Sequence, residues 1–560
     1  MTECTILRLG ASRREPFGQG ILYLAGQEWN LPMTDIDSRP AALRAEKWAT
    51  WGFFTVLALL GIYLYRDYGI AWDEPWQVRH GSVLWKFIFE GDDGLLVDRA
   101  RYHGTIIPFL WFLMEKANLS SDSQQLYFLR HLGNFFLFYL GVVAFYLLCR
   151  RGFGAWFWAL LGSLFLVLSP RIFGHAFINP KDIPFMSFFI WGIYTAVRML
   201  ESPSWKTAIV HALTCIVLIN FRLLGVLVPV LTLAFLGARF FLMPDIRAGW
   251  RRTLALHALF LACTCVGVVA LWPTLWDQPL TQFVNAFEHL ARFPWRGDVL
   301  YLGRYYQSDK LPWHYPLVWM AVTIPLVYLV LFPVGLLDLL RRIFRAPALF
   351  ADYWLDLLVL SWLLAPIAAV LVLNSVLYDD WRHLYFVYPA MLWFSLRGVT
   401  SIWTWVSQES ARKFRSAFVA LMAFALLANA ATIAVYHPYQ NVYFNRLAGS
   451  GDQVRQRFEL DYWGVSYREG LAYIAATDPR GRITVLAANL PGEWNSLILP
   501  EADRRRFRYV YDASQADYFL TNYRWHRDDY DFEPPVYSII VGGVRIFGVY
   551  DFRGPRKEQN

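Results

Sequence analysis

Apolar segments, each close to twenty residues long, recur along this chain, and no other feature limits its possible folds so sharply. A hydrocarbon core of about 30 Å is crossed by roughly 20 apolar residues in helical conformation. Inside lipid every backbone amide needs a partner within the protein, which leaves helices or closed barrels. Measured against that length, segments fall near 48–66, 127–149, 153–169, 183–200, 207–221, 223–243, 253–272, 315–337, 355–377, 384–405 and 416–435. About eleven transmembrane helices are therefore expected, with the pair in 207–243 also readable as one bent segment. Composition agrees. Only 17% of the 560 residues are charged, against about 25% in soluble domains. The 26 Trp and 31 Tyr suit a chain that crosses the lipid–water interface many times.

Basic loops orient these segments. Arg150-Arg151, Lys206, Arg247 with Arg251-Arg252, Arg341-Arg342 with Arg345, and Arg412-Lys413 with Arg415 fall on alternate turns, on the side of the N-terminus. Basic residues favour the cytoplasmic side, so the net charge of +8 needs no nucleic acid to explain it. Residues 1–47 lack the apolar core of a signal peptide, so they read as a cytoplasmic segment before an uncleaved signal-anchor. Residues 48–435 form the membrane domain, with a first exported loop at 67–126. An odd span count then exports residues 436–560. That tail alternates short apolar runs (RITVLAANL, FRYVYDA, DYFLTNY, YSIIVGGVRIFGVY) with helical stretches, as in a small α/β domain. In the first exported loop EPWQVRHGSVLWKFIF and GTIIPFLWFLMEKA read as amphipathic helices lying in the interface plane. The five cysteines form no disulfide framework, and Cys263 and Cys265 lie on different faces of a helix.

Charges on the exported side run against this bias and call for a reason. IAWDEPWQ places Asp73 and Glu74 just beyond the first span. LSPRIFGHAFINPKDIPF places Arg171, His175, Asn179, Lys181 and Asp182 between the third and fourth, and INFRLLG places Arg222 between the fifth and sixth. LYDDWRHLYFVYP places Asp379, Asp380, Arg382 and His383 between the ninth and tenth. Cations at such a mouth suit a phosphate, Arg through a planar fork and Lys as a point charge. Carboxylates there suit a general base or an oxygen ligand set for a divalent ion. Plainer readings compete residue by residue. Asp182 would also complement a helix N-terminus, Arg171 and Arg382 could snorkel to headgroups, Asp73-Glu74 could pair with Arg79, and His175 and His383 could simply pack. Four such sites on one face favour a functional mouth.

These motifs together resemble those of GT-C glycosyltransferases, and of the protein mannosyltransferase and aminoarabinose transferase group (glycosyltransferase family 39) in particular. IAWDEPWQ is similar to that family's exported acidic motif, PRIFGHAFINPKDIPF to its second loop and DDWRHLYFVYP to its arginine motif. HPYQNVYFNRLAG and FELDYWGVSYREG are similar to bacterial members, so the resemblance spans roughly 48–470. The chain departs from better-known members in span count and in RHLYFVYP, where many carry Arg-Tyr and a shorter spacing to Pro. The resemblance implies a GT-C fold, a polyprenyl-phosphate-linked sugar donor, an acceptor hydroxyl on a protein, lipid or glycan, and inversion at the anomeric carbon. It implies a multi-pass location in a bacterial inner membrane, with the site on the periplasmic or extracellular face.

Asp73, in the leading acidic position, is then the expected base, with Glu74 and Asp182 beside it. Lys181, Arg222, Arg382, Arg171 and His383 are the expected donor-phosphate ligands, and Asn179, His175 and Trp463 the expected sugar or acceptor contacts. No cofactor is demanded, although Mg or Mn at Asp73 and Asp182 is compatible with the residue types. A transporter or flippase of a lipid-linked sugar would also want cations around a phosphate. That rival predicts internal repeats and broken helices with midplane charges, which the sequence does not show.

Overall fold

The computed structural model describes residues 38–553, apart from 118, 244–248, 292, 294, 346–349 and 533. Residues 1–37 of the N-terminal segment, and Arg247 of the basic loops, lie outside the described residues. The chain divides into two compact units, Met1–Ala45 and Glu46–Asn560. Of the first, the described part is the opening of helix α1.

Each predicted apolar segment is helical, but not every one forms a single full-length span. The helices are α1 (Ser38–Leu64), α2 (Asp73–Glu90), α3 (Ile106–Lys116), α4 (Ser123–Phe153), α5 (Trp156–Val167), α6 (Pro170–Ile178) and α7 (Asp182–Glu201). They continue as α8 (Trp205–Phe221), α9 (Leu227–Leu242), α10 (Trp250–Leu271), α11 (Pro279–Ala291), α12 (Tyr315–Thr323), α13 (Leu326–Arg345), α14 (Phe350–Val372), α15 (Tyr388–Val406) and α16 (Arg415–Val435). Among the described residues seven helices are long and apolar enough to cross a membrane, or nine if each of two bent pairs counts once. The pairs are α5 with α6, bent by 69°, and α12 with α13, bent by 117°. The expected span at 315–337 is thus broken in two, and the expected span at 153–169 is the short helix α5, followed by α6 where the sequence predicts only a loop. Ser169-Pro170 and Pro325 mark the breaks, because proline has no amide hydrogen and restrains the residue before it. The segment 207–243 is two helices, α8 and α9, parted by extended backbone at Arg222.

Close packing holds the bundle. Gly335 of α13 and Gly398 of α15 meet so closely that a Cβ on Gly335 would lie 1.8 Å from the Phe394 carbonyl oxygen. Small residues permit such backbone approach between membrane helices. At the end of the bundle that carries the basic loops, buried Asp356 of α14 accepts from Arg342 (2.8 Å), Arg397 (2.8 Å) and Trp393 (2.7 Å), tying three helices together. Glu46 with Arg150, and Arg151 with Glu201, pair at the same end. Asp73, Asp182, Arg222 and Arg382 all lie at opposite helix ends, as alternation of the spans requires.

The C-terminal region carries a five-stranded sheet, built from β3 (Ile483–Ala487), β4 (Phe507–Tyr509), β5 (Tyr518–Thr521), β6 (Tyr537–Val541) and β7 (Val544–Asp551) in the order β4-β3-β5-β7-β6. β3 pairs parallel with β4 and β5, and β7 pairs antiparallel with β5 and β6. The four apolar runs of the tail supply all five strands. A separate hairpin, β1 (Asp298–Tyr301) with β2 (Arg304–Gln307), precedes α12. The segment between α16 and the sheet is not a free linker. Gln440, Asn441, Asp461, Tyr462 and Trp463 are buried, and Trp463 accepts the Trp72 amide at 3.0 Å.

Candidate active site

Asp73 opens α2 and Asp182 opens α7, and one arginine joins them. Arg382 Nη1 lies 3.5 Å from Asp73 Oδ2 and 3.2 Å from Asp182 Oδ2, while its Nη2 donates to Asp379 Oδ2 at 3.3 Å. The guanidinium is clasped between the rings of Tyr378 (5.1 Å) and Trp463 (4.9 Å). Two further cations complete the cluster: Lys181 Nζ stands 3.4 Å from Asp73 Oδ2, and Arg222 pairs with Asp182 Oδ1. Asn179 sets the turn into α7, its Oδ1 accepting the Asp182 amide (2.9 Å) and its Nδ2 donating to the Asp182 carboxylate (2.8 Å). Such an Asx turn locks a loop onto a helix N-terminus.

This cluster forms the polar end of a cavity of about 330 Å³. Asp73, Gln77, Lys181, Arg222, Arg382 and His383 line that end, and Leu223, Leu227, Pro366, Val370 and Leu373 line the walls. Leu224 and Leu373 also sit on the outer surface, so the cavity reaches the flank of the bundle. Lys181 and Arg222 are the most open of its cations, at 25% and 20% side-chain exposure, against 3% for Arg382. Burial acts to raise the Asp73 carboxyl, but Lys181 and then Arg382 hold it below the usual carboxylate range. His383 is different. Burial, reinforced by Arg382 and Arg222, pushes its imidazole well below its ordinary value, so it is neutral and brings no charge to an anion.

Not every residue singled out in the sequence faces the cavity. Glu74 points the other way: it is 2% exposed and accepts from the Ala71 amide (2.8 Å) and from His131 (3.2 Å). Two adjacent residues at a helix start diverge by about a third of a turn, so only one carboxylate of the pair meets the cations. Arg171 is withdrawn into a second buried network, pairing with Asp380 at 2.7 Å between the rings of Trp319 and Phe444. The hydroxyls of Tyr385 (2.8 Å) and Tyr462 (2.7 Å) donate to the same Asp380 oxygen, and His175 packs against both tyrosines. Arg171 and His175 therefore sit outside the cavity lining. Trp463 is 1% exposed and covered by Arg382, so it offers no open face to a sugar ring. Gln77, Tyr378 and His103 line the cavity without having stood out in the sequence. Gln77 was the most findable, one helical turn from Asp73.

The residues do not fit a divalent ion at Asp73 and Asp182. Both Asp182 oxygens are engaged by cations, and Lys181 and Arg382 share Asp73 Oδ2. Among the described residues there is no group of three His, Cys, Asp or Glu that could hold a metal.

No family model matches this chain, and no curated protein matches it. Solved structures do. The apo oligosaccharyltransferase of Archaeoglobus fulgidus is similar at 12% identity and a TM-score of 0.49, over 84% of this chain and 65% of that one. ArnT from Cupriavidus metallidurans bound to undecaprenyl phosphate is similar at 14% identity and 0.46, over 91% of this chain and 100% of that one. Apo ArnT gives 0.48. The chain thus spans about two-thirds of the oligosaccharyltransferase and all of ArnT.

Beside the cluster lies an isolated acid. Glu459 is buried, and no hydrogen bond of normal geometry reaches either carboxylate oxygen. Burial, opposed by Arg524 and reinforced by Asp379 and Asp380, pushes its carboxyl up to about 8. Between the ordinary value of 4.5 and about 8 the folded protein keeps a proton that the unfolded chain has released, so stability falls as pH rises through that window. Glu459→Gln removes the slope. In thermal melts from pH 5 to pH 9 the variant gains on the wild type up to about pH 8, and the gap then levels. Parallel pH profiles for the two proteins would refute this.

Proposed function

We propose that this chain is a GT-C-type glycosyltransferase that moves a sugar from a polyprenyl-phosphate carrier to an acceptor hydroxyl by inverting displacement. The observation that carries the reading is one cavity with two chemistries: apolar walls opening on the flank of a membrane bundle, and an end holding Lys181, Arg222, Arg382 and Asp73. A lipid phosphate has the same division. Its chain seeks apolar surface, and its headgroup seeks preorganised cations.

In this reading the acceptor oxygen bonds to the anomeric carbon as the bond from that carbon to the phosphate oxygen breaks. The electron pair leaves with the phosphate, whose growing charge is met by Lys181, Arg222 and Arg382. Fixed cations in a site closed to water stabilise such charge far better than bulk solvent does. The acceptor proton passes to Asp73. A carboxylate held at low pKa is a weak base towards a ground-state alcohol, so transfer comes late, once carbon–oxygen bonding has acidified the hydroxyl. Asp182 holds Arg222 and Arg382 in place rather than touching the acceptor. The two bent pairs, α5 with α6 and α12 with α13, are a feature a transporter would also have, but the charges sit at helix ends and not at mid-bundle, which favours surface chemistry over transport. The exported face and a bacterial inner membrane belong to the same reading.

Purified protein in detergent, given a panel of polyprenyl-phosphate sugars and candidate acceptors, is expected to release free polyprenyl phosphate with one of them. Donor binding without release, across protein, lipid and glycan acceptors, would instead support a flippase.

A further inference from the structure

One contact outside the cavity joins two strained loops. Among the described residues seven non-glycine residues have positive φ, and four of them flank this contact: Asp379 (54°), Asp380 (65°), Tyr523 (56°) and Trp525 (61°). Such conformations persist only where the surroundings hold them, and they gather at functional sites. Between them Arg524 Nη2 donates to Asp379 Oδ1 at 2.6 Å, across 145 residues of sequence. Its Nη1 donates to the Tyr462 carbonyl at 2.6 Å, and the rings of Trp72 and Trp525 cover its guanidinium at 4.8 and 4.6 Å. The other oxygen of Asp379 receives Arg382.

We propose that Arg524 is a positioning residue that holds Asp379 and offsets its charge, so that the cation cluster around Arg382 keeps a net positive charge for the donor phosphate. The assignment rests on the donor reading above. Charge counting supports it. Lys181, Arg222 and Arg382 face Asp73, Asp182 and Asp379, three against three. Burial keeps His103 and His383 neutral, and Asp380 is matched by Arg171. A neutral cluster gives an anion little reason to bind. Arg524 makes it four against three, and the C-terminal region thereby supplies the excess charge. Glu459 lies on the same wall, facing Arg524, Arg455, Asp379, Asp380 and the Leu300 backbone. While protonated it leaves the excess intact. Ionised, it cancels it.

The test is binding of undecaprenyl phosphate, followed by tryptophan quenching, to the full-length protein in detergent at pH 7. Arg524→Gln, which removes one net positive charge from the cluster, is expected to weaken binding about tenfold, and Arg524→Lys about threefold at most. Asp379→Asn placed on Arg524→Gln restores the count and recovers most of the affinity. Arg455→Gln changes one more arginine of that wall, but one paired with Asp529, and should stay within about twofold. Between pH 7 and pH 9 wild-type affinity falls, whereas that of Glu459→Gln stays flat.

Wild-type affinity in Arg524→Gln overturns the assignment alone. So does a double variant that folds yet binds no better than Arg524→Gln, since Arg524 would then be merely structural. Should Arg524→Gln fail to fold, the double variant and the Glu459 pH profile decide, and a profile unchanged by Glu459→Gln overturns the assignment. If the wild type itself binds no lipid phosphate, the donor reading falls and the assignment with it.

Discussion

Asp73→Asn is expected to cut sugar transfer by at least ~10²–10³-fold while lipid-phosphate affinity holds or improves. Asparagine keeps the shape and the hydrogen bonds to Lys181 and Arg382 but cannot take the acceptor proton. Removing a carboxylate from beside two cations leaves them, if anything, more attractive to an anion. The neighbouring substitution sharpens the point. Glu74 faces His131 and the Ala71 amide, away from the cavity, so Glu74→Gln should leave turnover within a few-fold and act on thermal stability instead. Initial rates with a saturating donor, set beside direct binding, separate the outcomes. Equal losses in the two variants, or lost binding in Asp73→Asn, would remove Asp73 from its place as base.

Arg382→Met is the second large effect, and it differs in kind. Arg382 reaches Asp73, Asp182 and Asp379 at once. Without it three buried or half-buried carboxylates lose a shared partner, and breaking such a pair by removing one side typically costs about 3–5 kcal/mol. Both lipid-phosphate binding and transfer should disappear, with a lowered melting temperature. Arg382→Lys keeps the charge but cannot span three carboxylates with one ammonium. It should restore much of the stability and little of the affinity. If Lys restored both, Arg382 would be acting as a charge and not as a bridge.

The two predictions divide between what was readable from the sequence and what was not. The motif loops of Asp73, Lys181-Asp182, Arg222 and Arg382 were identifiable because helix length sets where a span ends, and charges stranded at span ends are conspicuous. Broken helices were harder to see. A hydropathy window averages across Pro325, so α12 with α13 reads as one span, whereas 153–169 reads as a span of its own and α6, with Arg171 and His175 lowering its apolar signal, reads as loop. Arg171 looks equivalent to Arg382 in sequence, both being arginines in charged loops at the same mouth. Only packing shows that Asp380, Tyr385 and Tyr462 enclose the first. Arg524 carries no sequence signal, and Glu459, although inside FELDYWGVSYREG, has nothing to set it apart from its neighbours.

Legible in the sequence alone are the helical, apolar segments, the sharing of one side by alternate loops, and the four loops that bring charge to one mouth. Those are local properties: the transfer of twenty residues into lipid, and the bias of Lys and Arg in short loops, are summed along the chain and need no partner. The three-dimensional packing sets which carboxylate of Asp73-Glu74 meets the cations, that Arg382 and not Arg171 lines the cavity, and that Arg524 of the C-terminal region reaches Asp379. Those choices turn on distances of 2.6 to 3.5 Å between groups as many as 309 residues apart. Electrostatic energy at such range changes with every ångström, and a linear pattern does not record it.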